Sequence, residues 1–160
     1  MVYVSLDEEH SRPVLEDFTR ETGIELVAEY DTEQTKSVGL VNRLLTERQR
    51  NAVQADVYWN NEIAGTIRLK QNGVLERYVP PSAADIPAQY RDPDGFWTGF
   101  AMRARVLIVN TDLVAREEFP TSMWDLAKPK WRGRVAMARP ETGTTATHAA
   151  CLYVKDPEEA

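Results

Sequence analysis

Val2-Tyr3-Val4-Ser5-Leu6-Asp7-Glu8-Glu9 opens the chain with a short apolar strand, a polar exit and the acidic start of a helix pattern. The arrangement returns at Ile24–Tyr30, which exits into Asp31–Lys36, and at Ala55–Trp59, which exits into Asn60-Asn61-Glu62. Strands alternating with helices predict βαβ units and a parallel sheet, and right-handed crossovers place all three exits at one carboxyl edge. Open α/β sheets bind their ligands at that edge. The exits carry carboxylates, amides and hydroxyls, so the expected ligand is polar or charged.

Working outward, the first helix is predicted to begin near Glu9 to Ser11, because Pro13 is tolerated in a first turn. Val14, Leu15, Phe18 and Thr22 then share a face, and Gly23 supplies a left-handed cap. A second helix over 35–48 is expected to bury Val38, Val41, Leu44 and Leu45. A third runs from Ile63 to Asn72 and stops at Gly73. From Val79 to Gly95, Pro80, Pro81, Pro87, Pro93 and the Asp94-Gly95 turn signal predict an ordered surface connection. Trp97–Asn110 reads as the longest strand, with Phe100, Val106, Leu107, Ile108 and Val109 around Arg103 and Arg105. Beyond it the pattern predicts a helical turn at Met123–Ala127, a turn at Lys130-Trp131-Arg132-Gly133, a strand at Val135–Ala138 and a helix over Thr144–Val154. A second α/β unit is opened by these elements and not closed by Ala160.

With 160 residues, 42% apolar and 28% charged, the composition is that of a soluble globular protein large enough to bury a core. A net charge of −6 argues against nucleic acid as a partner. No stretch approaches the ~18 consecutive apolar residues of a membrane helix. The sequence enters a strand directly after Met1, with no basic segment or cleavage site, so an exported protein would carry its leader upstream. Cys151 is the single cysteine, which excludes an internal disulfide and a cysteine zinc cluster; it is expected to be a small apolar helix residue. His10 and His148 are the two histidines, and neither a Gly-x-Ser-x-Gly elbow nor a His-x-x-x-His pair is present, so catalysis has little support.

Three constellations can carry chemistry. Asn60-Asn61-Glu62, beside Trp59, can coordinate a hard cation or hydrogen-bond a polar ligand; the same residues can equally form an Asx turn capping the third helix. Arg103 and Arg105, two apart in the predicted strand, project from one face. There they form either a clamp for an anion or carboxylate or a pair bound to structural carboxylates. Pro140 through His148 leads a Gly/Thr-rich turn into a helix, so Gly143, Thr144 and Thr145 gather amides and hydroxyls at its positive end. That favours an anion, or else is ordinary threonine capping.

Through these stretches, and through Pro129-Lys130-Trp131-Arg132-Gly133 and Gly143-Thr144-Thr145-Ala146-Thr147-His148, the chain resembles the extracellular solute-binding proteins of ABC importers. The branch it is most similar to is that of periplasmic ferric-iron-binding proteins. The resemblance implies a type II periplasmic-binding-protein-like α/β fold. Residues 1–100 would form a parallel-sheet N-terminal lobe, and 101–160 the crossing strand and incomplete start of a second α/β lobe. It implies a non-enzymatic carrier with no cofactor, capturing ferric iron and a synergistic anion in an interlobe cleft and delivering them to an ABC permease in the periplasm or at the cell surface. Asp7 stands where many iron carriers present a histidine, with His10 close enough to compete, and Glu62 resembles their acidic ligand. The carriers' paired tyrosines fall beyond Ala160. Arg103, Arg105 and Gly143–Thr145 resemble the anion-holding elements, and Ser5, Asn60 and Asn61 line the cleft.

Related proteins on this scaffold carry phosphonates, thiamine or polyamines, so a small organic anion held without metal is the alternative cargo. An effector-binding domain of a transcription regulator is the rival from another class, and would need a helix-turn-helix upstream. An α/β transferase is third. Because the second lobe is expected to lack cover for its strand edges, self-association of the chain is also expected.

Overall fold

The computed structural model describes residues 1–31, 39–140 and 143–155. A 3-stranded parallel sheet in the order β2-β1-β3 is built from β1 (Val2–Val4), β2 (Ala28–Tyr30) and β3 (Val57–Trp59). Val4 stands opposite both Tyr30 and Trp59, so the strands end level. They alternate with α1 (Glu8–Thr22), α2 (Gly39–Gln49) and α3 (Ile63–Gln71), as the repeat predicts. The chain steps from β1 to one neighbour and then back across β1 to the other. Right-handed crossovers therefore put α1 and α2 on opposite faces.

Alternation along β1 turns Tyr3 toward α2 and α3, where it packs with Leu40, Val41, Leu44 and Leu69. Leu45 is partly buried against this cluster, while Val38, Thr35 and Lys36 lie outside the described residues. The second and third strands are shorter than the sequence predicts. Ile24 and Val27 are exposed and stay off the ladder, touching it only where the Val2 amide donates to the Val27 carbonyl at 2.8 Å.

Helix α1 starts at Glu8, and Pro13 lies inside it, beyond the first turn expected from sequence. The cost is the one hydrogen bond that Pro13 cannot give to the Glu9 carbonyl. The first turn is held instead by the Ser11 amide and hydroxyl, each 3.0 Å from the Asp7 carbonyl. The inward residues are Ser11, Leu15 and Thr19, spaced by four. Val14 and Phe18, predicted to be buried, form the adjacent stripe and are 54% and 42% exposed.

After α3 the chain is tied back to it. Lys70 Nζ bonds Asp92 Oδ1 at 2.7 Å and Asp94 Oδ2 at 2.8 Å, and sits 5.2 Å from the Phe96 ring centre. The Asp94-Gly95 turn forms as expected: Gly95 has φ +79°, and a Cβ there would come within 2.8 Å of Val79 Cγ2. Such a position admits glycine alone without rearrangement.

The predicted strand Trp97–Asn110 does not form. Thr98 makes an isolated antiparallel bridge to Arg91, and 101–110 have no ladder; nor have 135–138. A strand exists by pairing, and these apolar runs find no partner strand among the described residues. Met102, Val106 and Ile108 are 71%, 69% and 91% exposed in consequence. Short helical turns do form at Trp124–Ala127 and Pro129–Trp131, and α4 spans Gly143–Lys155. Cys151 lies on α4 as expected but is exposed, so it does not pack as an apolar residue. No helix among the described residues is long and apolar enough to cross a membrane.

The core carries one fully satisfied charge network. The Tyr3 hydroxyl donates to Glu47 Oε1 at 2.7 Å, Arg43 Nε donates to the same oxygen at 2.8 Å, and the Gln54 amide reaches Oε2 at 3.1 Å. The Arg43 guanidinium also pairs with Glu29 and lies 4.5 Å from the Tyr3 ring centre. Burial alone pushes the Glu47 carboxyl up, but the Tyr3, Arg43 and Gln54 bonds outweigh it and hold the group below its ordinary range. A depressed folded-state value stabilises above the unfolded pKa of about 4.3, and that contribution is lost as pH falls through the folded value. Glu47→Gln is expected to flatten the acid limb of a plot of urea-unfolding free energy against pH. An acid limb identical to that of the parent would contradict the network.

Candidate functional site

The exits of β1 and β3 lead to helices on opposite faces of the sheet, which opens a crevice between adjacent strands at their carboxyl ends. Ser5, Asp31 and Asn60 are the first residues past the three strands. The Ser5 amide donates to the Trp59 carbonyl at 2.9 Å and the Asp31 amide to the Val4 carbonyl at 3.0 Å, so the exits leave together. Ser5 is buried; its hydroxyl donates to Asp31 Oδ2 at 3.3 Å and lies 3.1 Å from the Tyr58 hydroxyl. Burial pushes the Tyr58 phenol up to about 12, with the Asp31 and Glu62 carboxylates adding to the rise and the Ser5 hydrogen bond opposing it. Asp7, at the N-cap of α1, is half-buried at the same edge and makes no side-chain capping bond.

The turn after β3 divides its residues between two tasks. Asn60 Nδ2 donates to the Glu62 carbonyl and to Thr66 Oγ1 at 2.9 Å, and Asn60 Oδ1 accepts from the Glu62 amide at 3.1 Å. Its amide is thus spent on an Asx turn that starts α3. Asn61 is half-buried beside it. The Glu62 side chain, released by this turn, is 7% exposed. Oε2 accepts from Thr147 Oγ1 of α4 at 2.6 Å, and Oε1 is buried with no hydrogen-bond partner among the described residues. A buried carboxylate oxygen left unpaired is costly, and a cation, a water or another donor can remove the cost.

Across the crevice, Arg105 donates to Thr144 Oγ1 and to Thr145 Oγ1, the latter at 3.0 Å, at the start of α4. Gly143 begins that helix, while Glu141 and Thr142 lie outside the described residues. Arg103 does not join Arg105. It is exposed and makes no hydrogen bond or ion pair among the described residues, because 101–110 is not a strand and alternation does not govern it. His148 is half-buried and lines a cavity of about 500 Å³ with Arg105, Val106, Trp131, Met137 and Thr145, whose lining holds no carboxylate. His10 is exposed, 3.4 Å from Glu9. Trp59 packs against Phe100 at 5.6 Å and 54°.

Two residues of this arrangement, Tyr58 and Thr147, escape sequence reasoning. Tyr58 reads as a core strand residue, and Thr147 is one of several threonines in a helix start; only the fold brings them to Ser5 and Glu62. Among the described residues no three His, Cys, Asp or Glu side chains gather closely enough to hold a metal ion. A metal at Asp7 and Glu62 therefore needs donors beyond the His, Cys, Asp and Glu side chains of the described residues.

Residues 66–159 match the family model of bacterial extracellular solute-binding proteins. The chain is 33% identical over 144 residues to iron uptake protein A1 of Synechocystis, covering 89% of this chain and 38% of that protein. It is 26% identical over 155 residues to an Fe(3+)-binding periplasmic protein of Serratia marcescens, covering 97% and 44%. Iron-bound HitA of Pseudomonas aeruginosa superposes with a TM-score of 0.81 at 23% identity, over 99% of this chain and 49% of that one, and shows the fold to be of the type II periplasmic-binding-protein kind. The chain thus spans less than half the length of these proteins.

The Asx turn makes its own prediction. Asn60→Ala removes three hydrogen bonds at the start of α3 and is expected to lower stability by about 1 kcal/mol in urea unfolding. Asn60→Asp, which keeps the acceptor for the Glu62 amide, should recover part of the loss. An unchanged midpoint in Asn60→Ala would show that the turn is held by other contacts.

Proposed function

The chain belongs to the bacterial extracellular solute-binding proteins, and from that premise we propose that it is the cargo-capturing part of an ABC importer, holding ferric iron with a synergistic anion. Its residues 1–100 form the first lobe and 101–160 the opening of the second, with the cleft between them. The protein works in the periplasm or at the cell surface and hands its cargo to a permease. The observation that carries this reading is the buried Glu62 carboxylate, with one oxygen held by Thr147 and the other unpaired. The names of the Synechocystis and Serratia relatives point the same way.

In this reading Asp7 and Glu62 take the metal, and Ser5 and Asn61 line the cleft. Asn60 fixes the turn that presents Glu62. Arg105 and the Gly143–Thr145 turn take the anion, with Arg103 reaching it on closure. A second reading, a small organic anion bound without metal, has one observation in its favour: among the described residues Arg105 bonds two hydroxyls and no carboxylate. The exposed apolar residues Met102, Val106 and Ile108 support self-association of the isolated chain.

Calorimetric titration with ferric nitrilotriacetate, with citrate and phosphate varied separately, tests the assignment. Glu62→Gln is expected to remove iron binding whichever anion is supplied. Arg105→Gln should cost about 1.5–3 kcal/mol, by an amount that changes with the anion. Unchanged affinity in both variants would rule out this pocket. Anion binding indifferent to iron and to Glu62→Gln would favour the organic-anion reading.

A further inference from the structure

We propose that Thr147 is a positioning residue: it holds Glu62 Oε2 so that Oε1 is presented to the cation, and it couples the cation half of the cleft to the anion half through α4. The inference rests on the reading that Glu62 takes the cation. A threonine inside a helix ordinarily returns its hydroxyl to the carbonyl four residues back. Thr147 instead spends it on a carboxylate 85 positions earlier, at 2.6 Å. That bond is the single hydrogen bond of the Glu62 carboxylate among the described residues, since Oε1 has none.

A glutamate with one oxygen fixed and one vacant is already turned for a ligand, so the cation need not pay to order it. Thr147 lies on the turn of α4 that carries Thr144 and Thr145, and Arg105 grips both of those hydroxyls. An anion that engages Arg105 and these threonines moves the same helical turn that holds Glu62. Charge on one side of the cleft is thereby transmitted to the geometry of the other through a rigid helix start.

Terbium(III) chloride, a hard oxygen-seeking probe, can be titrated into the 160-residue chain with emission sensitised through tryptophan. Thr147→Val, close to isosteric, is expected to weaken terbium binding by up to about tenfold, the cost of ordering one released side chain. Thr147→Ser should restore it. With diamagnetic lanthanum(III), the amide resonances of Thr144 and Thr145 should shift in the parent and in Thr147→Ser and stay still in Thr147→Val. Terbium affinity unchanged in Thr147→Val but lost in Glu62→Gln would overturn the positioning role and leave the cation reading standing. Binding equal in the parent and in Glu62→Gln would overturn both. Amide shifts that persist in Thr147→Val would overturn the coupling through α4.

Discussion

Parallel pairing of β1 with strands on both sides obliges the chain to leave every strand at the same end and to return behind the sheet. Because the two returns run on opposite faces, the exits of β1 and β3 part from each other, and the backbone cannot fill the space between them. Ser5, Asp31, Tyr58 and Glu62 meet there for that reason, although they are far apart in sequence. Helix α2, which makes the second crossover, buries the apolar core around Tyr3 together with α3, so the connectivity that stabilises the sheet also creates its crevice.

Two glutamates make an instructive contrast. Glu47 receives Tyr3, Arg43 and the Gln54 amide, which together satisfy both oxygens. It belongs to the architecture. Glu62 is more deeply enclosed, yet among the described residues its carboxylate receives a single hydroxyl, and that hydroxyl comes from α4. A half-satisfied buried carboxylate is costlier than an apolar residue in the same place.

The sheet and its order of elements were legible in the sequence because each βαβ unit is specified locally, by apolar runs, caps and crossover length. The carboxyl edge, and with it Asp7, Asn60, Asn61 and Glu62, followed from the same pattern. What sequence could not supply was the division of labour within the turn: whether an asparagine amide faces a ligand or its own backbone is decided by a few degrees of rotation. The run 97–110 failed for another reason. Its apolar pattern describes a strand in a finished sheet, whereas pairing depends on neighbours that no local pattern contains. The buried stripe of α1 was misplaced by one position because Ser11, a polar residue, takes an inward place that hydropathy assigns to Val14. Thr147 was invisible because its partner lies 85 residues away.

Lys70 grips Asp92 and Asp94, Thr98 is bridged to Arg91 and the Gly99 amide bonds the Tyr90 carbonyl, so the path leaving α3 is anchored as far as Gly99. From 100 to 109 no backbone hydrogen bond is made among the described residues, and the next fixed point is the Asn110 carbonyl, which accepts from Leu113 and Val114. Torsion within this span breaks no ladder, whereas torsion before it would break ion pairs. What fixes the span is side-chain contact: Phe100 lies against Trp59, and Arg105 grips Thr144 and Thr145 at the base of α4. The course of ten residues therefore depends on a few side chains, where elsewhere it rests on a ladder.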